Sequence, residues 1–133
     1  MANVEDKFRS LAEGLYIGST TGRLKWSPFP ETNSYITIVN DAKIEIASSV
    51  NDEGEDLFII NVFDKNGTRI DTFTDEYFSR KIAPQHVTAS NYFILMSNLY
   101  EIARRNATGA DRVLDSILDA LGAPKIDSDE VPF

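Results

Sequence analysis

The sequence predicts an α+β fold, in which an antiparallel sheet of four to five strands in a meander carries an N-terminal helix and a C-terminal helix pair. Three observations lead to this class. Within Ser34–Thr74, Ile36 and Ile38 alternate with Thr37 and Val39, and Ile44 and Ile46 alternate with Lys43 and Glu45, and a period of two is typical of strands. Turn-forming residues separate the alternating runs. Apolar residues recur at helical spacing on both sides of them, which indicates a layer of helices on the sheet.

The first segment, Asn3–Glu13, has the spacing of an amphipathic helix. Asn3 is a suitable N-cap, and Gly14 is predicted to end the helix as a left-handed cap. Tyr16–Gly22 is rich in glycine, serine and threonine, which favours a flexible turn. The apolar stripe of this helix consists of Val4, Phe8, Leu11 and Leu15.

The next segment, Gly22–Trp26, alternates and predicts an additional strand at an edge of the sheet, ended by Pro28 and Pro30. Charged side chains protect an edge strand from pairing with another chain, and this strand carries two of them, Arg23 and Lys25. The single tryptophan, Trp26, is assigned to the core, because a large ring in a two-layer domain is more often buried than exposed.

Four strands follow within Ser34–Thr74. Asn40-Asp41 and Lys65-Asn66-Gly67 predict tight turns, and Asn51–Asp56 predicts a longer, acidic, solvated loop. The third strand, Leu57–Phe63, is apolar on both faces apart from Asn61. We therefore expect its second face to be covered by the N-terminal segment, by a loop or by a second molecule.

The C-terminal half predicts a short capped turn at Asp75 and then two helices. Ser90–Ala107 is the longer helix, with Ser90 as its cap and Arg104 and Arg105 in its last turn, where cations suit the helix dipole or could contact a partner. Thr108 opens the second helix. Its apolar side chains are expected to form a buried face, namely Val113, Leu114, Ile117, Leu118 and Leu121.

Length and composition indicate one domain over residues 1–122, followed by an acidic tail over residues 123–133. The 133 residues contain no cysteine, which excludes disulfides, thiolate metal sites and cysteine nucleophiles. The net charge of -8 disfavours binding to nucleic acid and to anionic membranes. The first ten residues lack the apolar run of a signal peptide, and no run is long enough to span a membrane, which together predict a cytoplasmic location.

No motif of the sequence predicts a catalytic residue, a cofactor site or a metal site. The Gly18–Gly22 segment lacks the ending of a phosphate-binding loop, and the run from Asp64 lacks the later ligands of a calcium loop. His86 is the only histidine, so no multi-histidine site exists. The roles of His86 and of the acidic loop 51–56 remain open at this point.

Three segments resemble small bacterial α+β domains that pair a curved sheet with C-terminal helices. They are Gly14–Trp26, which includes a Gly-x-Leu-x-Trp pattern, the Asn66-Gly67 hairpin, and Leu99–Arg105. The resemblance implies a bacterial or phage accessory domain, and it brings no catalytic residue and no activity.

The sequence favours a non-catalytic protein-interaction or accessory module of a bacterial or phage cytosolic system, with a homodimer as one form. The alternative is a small-ligand or peptide-binding domain that uses Trp26, Tyr35 and the glycine-rich loop. A small enzyme is less favoured, and it would require a cleft that gathers His86 with acidic residues. The candidate partner or ligand surface comprises Arg23, Lys25, Trp26, Tyr35, Arg104 and Arg105.

Overall fold

The computed structural model describes residues 3–29 and 33–126 and confirms the α+β class. Five antiparallel strands form one sheet in the order β1-β2-β3-β4-β5, which is an uninterrupted meander. The N-terminal helix and the C-terminal helix pair complete the fold. The elements are α1 (Val4–Thr20), β1 (Ser27–Pro28), β2 (Ser34–Val39), β3 (Ala42–Val50), β4 (Asp56–Phe63), β5 (Arg69–Thr74), a 3-10 turn (Asp75–Tyr77), α2 (Tyr92–Thr108) and α3 (Ala110–Leu121).

The predicted turns of the meander are confirmed. Asn40 and Asp41 link β2 to β3 with φ angles of 51° and 65°, the left-handed region that asparagine and aspartate tolerate. Between β4 and β5, the Asp64 side chain accepts hydrogen bonds from the backbone N–H groups of Asn66 and Thr68, at 2.9 and 3.0 Å. The residues that begin like a calcium loop therefore form a hairpin turn.

The core lies between one face of the sheet and the helices. Alternate strand residues point into it, and α2 covers them with five side chains that have no exposed surface, Tyr92, Leu95, Met96, Leu99 and Ala103. Helix α1 packs beside α2 and reaches the far edge of the sheet, where the ring of Phe8 stacks on Phe73 at 4.3 Å. The strands contribute Thr37, Ile44, Ile46, Phe58, Ile60 and Phe73 to this face.

Helix α1 is longer than its sequence predicts. Asn3 caps it as expected, but the helix continues through Gly14 to Thr20, so the predicted end at Gly14 is wrong. Glycine inside a helix costs about 1 kcal/mol relative to alanine. Burial of Leu15 and Gly18 in the second half of the helix offsets that cost.

The edge strand also differs from its prediction. Only Ser27 and Pro28 pair with β2, so the strand follows Gly22–Trp26 instead of coinciding with it. Pro28 lies within the strand, which an edge position allows, and Pro30 lies outside the described residues. Trp26 is in the core as predicted, 4% exposed, and its Nε1 donates to the Ser19 hydroxyl at 2.9 Å.

The starts of both C-terminal helices are shifted from the expected positions. Asn91, not Ser90, caps α2, because its side chain accepts a hydrogen bond from the N–H of Ile94 at 2.9 Å. Gly109, not Thr108, precedes α3. This glycine has a φ of 67° and is both the C-cap of α2 and the N-cap of α3. The Thr108 hydroxyl instead donates to the carbonyl of Arg104.

The second face of β4 is half-buried. Phe58 and Ile60 point to the helices and are buried, whereas Leu57, Ile59 and Phe63 point to the opposite face and keep part of their surface exposed. Side chains of the neighbouring strands shield them partly. The apolar run predicts that this face is fully covered, but the described residues cover it only in part.

The two helical glycines of α1 offer a test of its length. A methyl group at Gly14 would meet no atom within 4 Å, so Gly14→Ala should raise the free energy of unfolding by about 0.5–1 kcal/mol. A methyl group at Gly18 would lie 2.9 Å from Leu24 Cγ, so Gly18→Ala should lower it by about 1–3 kcal/mol. Urea unfolding measures both values. Destabilisation by Gly14→Ala would indicate that the helix ends at that residue.

Candidate functional site

Three features are candidates for a functional site, and the first is a polar cleft beside α1. Its volume is about 280 Å³, and it brings His86 close to acidic side chains, as the enzyme interpretation requires. The cleft is lined by Asp6, Arg9, Ser10, Glu13, Gln85 and His86.

Glu13 is the buried group of this cleft. Its carboxylate accepts hydrogen bonds from the backbone N–H of His86 at 2.6 Å, from that of Gln85 at 3.2 Å and from the hydroxyl of Tyr92 at 2.5 Å. The Arg9 Nε in turn donates to the Tyr92 oxygen at 2.9 Å. Burial raises the pKa of Glu13, but hydrogen bonds from Tyr92, His86 and Gln85 together outweigh it and hold that pKa below its usual value.

This arrangement anchors a loop against α1. Both oxygens of Glu13 are engaged by donors that fix the backbone at Gln85 and His86 against α1. The imidazole of His86 is exposed, and no described residue forms a hydrogen bond with it.

The second feature is an apolar groove of about 460 Å³ between α1 and the β2–β3 hairpin. Helix α1 forms its floor, where Gly14 faces open space and Gly18 lies against Leu24, and Val39 and Ile44 line the groove from the hairpin. Arg23 lies at the rim, and no described acidic residue forms an ion pair with it. The groove could therefore hold an apolar molecule with an anionic end.

The third feature is the apolar stripe of α3, which we define as Ala110, Val113, Leu114, Ile117, Leu118 and Leu121. The prediction that this helix has a buried face is wrong, because none of its residues is buried. The five larger side chains of the stripe are between 41% and 73% exposed. The helix has a strongly amphipathic sequence, yet its apolar side has no partner among the described residues.

The start of α3 contacts the end of α2 in spite of this exposure. Gly109 is the only residue between the two helices, and the guanidinium of Arg105 forms an ion pair with the Asp111 carboxylate across the link. The N–H of Val113 donates to the carbonyl of Gly109 at 3.1 Å. The stripe is therefore presented by an ordered helix and not by a loop.

The residues of the predicted surface fall into separate places. Arg23 and Lys25 line one shallow pocket beside β2, with Ile36 and Ile38. Tyr35 packs on the ring of Tyr100 at 5.5 Å, near β1. Trp26 is buried, and the remaining two residues are paired within the helical layer, Arg104 with Glu101 and Arg105 with Asp111.

Sequence reasoning missed Glu13 and misjudged the stripe. Glu13 has no local signal, since its partners are 72 to 79 residues away in the chain. The stripe was visible as a pattern, but the pattern alone cannot say whether the core has room for it.

Comparison of the chain with protein-family models, with curated proteins and with solved structures gives no match. Function must therefore be inferred from the chemistry of the chain. Within residues 3–29 and 33–126, no group of three histidine, cysteine, aspartate or glutamate side chains has a geometry suited to a metal ion. No described helix combines the length and the apolarity needed to cross a bilayer.

The anchoring role of Glu13 can be tested through the pH dependence of stability. Glu13→Gln puts an amide donor against existing donors, so it should lower the free energy of unfolding at pH 7 by about 1–3 kcal/mol. Because the folded-state pKa of Glu13 is lowered, its contribution is present above its unfolded pKa of about 4.3. The contribution is lost as the pH falls through the lower folded-state pKa. The difference in the free energy of unfolding between wild type and variant should thus become smaller below about pH 4.

Denaturant unfolding at pH values from about 3 to about 7, in steps of about half a pH unit, measures this difference in the free energy of unfolding. The matched control is Glu53→Gln in an exposed loop, which should change stability by less than about 0.5 kcal/mol. A Glu13→Gln variant as stable as wild type at pH 7 would contradict the anchoring role.

Proposed function

We propose that this chain is a non-catalytic protein-interaction module and that the apolar stripe of α3 is its contact surface. One observation carries the proposal, namely that five large aliphatic side chains of an ordered helix are 41–73% exposed. Isolated apolar residues on a surface are ordinary, but a continuous stripe along one helix is typical of an interaction site.

The exposed area of the stripe is large enough to drive association. The exposed stripe amounts to on the order of 400–500 Å² of apolar surface, whose burial would contribute about 10 kcal/mol before the costs of association. The fold does not use that contribution, because α2 and α1 already cover the inner face of the sheet. A partner that covers the stripe would gain it.

The setting proposed for the module is the cytosol of a bacterial or phage system. A net charge of -8 keeps an acidic domain soluble despite its apolar stripe and opposes nonspecific binding to nucleic acid. The favoured partner is therefore a protein.

Site-specific photo-crosslinking in cells of the native host tests the proposal. A photoreactive p-benzoylphenylalanine in place of Leu118, on the stripe, should give a covalent adduct with a protein partner. The same residue in place of Asp119, its exposed neighbour on the opposite side of α3, should give none. Equal labelling at both positions, or no adduct at position 118, would contradict the proposal.

The groove beside α1 favours a second candidate function, the binding of an aliphatic carboxylate. Its apolar floor suits a hydrocarbon chain, and Arg23 at the rim suits a carboxylate. Calorimetric titration with dodecanoate should show binding that Gly14→Leu abolishes by filling the floor, and that Arg23→Gln weakens about tenfold.

Lys25→Gln is the matched control for the arginine, since Lys25 is exposed on the same segment but does not line this groove. If wild-type protein gives no heat of binding, or if Arg23→Gln and Lys25→Gln lose the same affinity for dodecanoate, this second candidate function is contradicted.

A further inference from the structure

We propose that the partner of the α3 stripe is a second copy of this chain, and that the two helices pair antiparallel about a two-fold axis that passes between Leu114 and Ile117, on the stripe side of the helix. The inference rests on the proposed function, because it names the occupant of the same surface. Three properties of the stripe favour a second copy, namely its symmetry, its charge and its area.

The stripe has the same spacing when it is read in either direction. Its six positions lie at intervals of 3, 1, 3, 1 and 3 residues along α3, as the printed sequence shows. A two-fold interface requires a surface that is complementary to itself. In an antiparallel pair, Leu114 meets Ile117 of the other copy, and Val113 meets Leu118 of the other copy. At each end, the small Ala110 meets the large Leu121 of the other copy, so the volumes match.

The charges near the stripe do not form a pattern that would select a different protein as its partner. None of the six stripe residues is ionisable, and in paired helices it is the flanking charges that select the partner. The acid nearest to the stripe at its start, Asp111, is already neutralised by Arg105 of its own chain. Asp115, Asp119 and Arg112 lie on the far side of the helix at 100° per residue. Two stripes can therefore meet without burying an unpaired charge.

The surface that two stripes would bury together reaches the smallest area typical of a specific interface. Two stripes of on the order of 400–500 Å² each give about 1,000 Å² of buried surface, the lower bound for a specific interface. Ile126, which is 86% exposed just beyond α3, can add to it. We therefore expect a reversible dimer in the micromolar range instead of an obligate one.

Sedimentation equilibrium of the full chain tests the proposal. Wild type should shift from monomer to dimer over about 1–500 μM, and dimerisation should strengthen with salt, because each copy carries a charge of -8 and salt screens the repulsion. Ile117→Asp places a charge on the stripe and should weaken dimerisation at least about tenfold.

Ser116→Asp is the matched control, because it adds the same charge to an adjacent exposed position of α3. Ser116 lies about 130° from the centre of the stripe, as far on one side as the native Asp115 on the other. It should leave the dimerisation constant within about threefold of wild type. Thermal unfolding in dilute solution should be the same for both variants, which shows that each one folds.

Disulfide trapping tests the direction of pairing, since the chain has no cysteine of its own. A mixture of Ala110→Cys and Leu121→Cys chains should form a mixed disulfide under mild oxidation. Leu121→Cys alone should not form a dimer, because the two Leu121 positions lie about 16 Å apart along the axis of an antiparallel pair. A disulfide between two Leu121→Cys chains would overturn the antiparallel arrangement.

A monomer at all concentrations would overturn self-association. If photo-crosslinking at position 118 still captures a different protein, the interaction function stands and only the choice of partner fails. If deletion of residues 127–133 from that monomer makes the stripe bind an apolar dye, the occupant is the chain's own C-terminal end, which also overturns the proposal. Dimerisation that weakens with salt would indicate a charged interface and contradict pairing through the stripe.

Discussion

The burial of one face of α2 is the constraint on which the rest of the structure depends. Five of its side chains have no exposed surface, and they lie between the inner face of the sheet on one side and α1 on the other. With that face filled, the hydrophobic core is complete before the chain reaches Gly109. Helix α3 comes last, covers none of the inner face of the sheet, and keeps its stripe exposed. Its exposure is thus a consequence of how α2 and α1 share the sheet.

The polar contacts of the core serve the same packing. Tyr92 lies at the start of α2 and donates to Glu13 of α1, which in turn holds the backbone of Gln85 and His86. At the other end of α2, Asn106 accepts a hydrogen bond from the N–H of Trp26 at 2.8 Å. These contacts tie the segments before and after the sheet to both ends of one helix. They also explain how Glu13 holds the segment that carries His86 against α1.

Local patterns predicted most of the fold. The alternation in the first two strands of the meander and the turn residues at Asn40-Asp41 were sufficient to predict it, because side chains at a period of two and left-handed turn residues act locally. The continuation of α1 through Gly14 could not be predicted, because the burial of Leu15 and Gly18 depends on contacts far away in the sequence. The same limit applies to the site. The stripe of α3 was recognised as apolar, but its exposure depends on whether α1 and α2 leave room on the sheet.

The central claim is that the fold is complete without the α3 stripe. Hydrogen exchange of the backbone amides, followed at a protein concentration at which the chain is monomeric, tests it most directly. The account predicts that amides of α3 exchange through a local opening of low free energy, while those of α2 around Leu95–Leu99 exchange only through global unfolding. Amides of α3 that exchange as slowly as those of α2, and with the same dependence on denaturant, would show that α3 belongs to the core and would contradict the account.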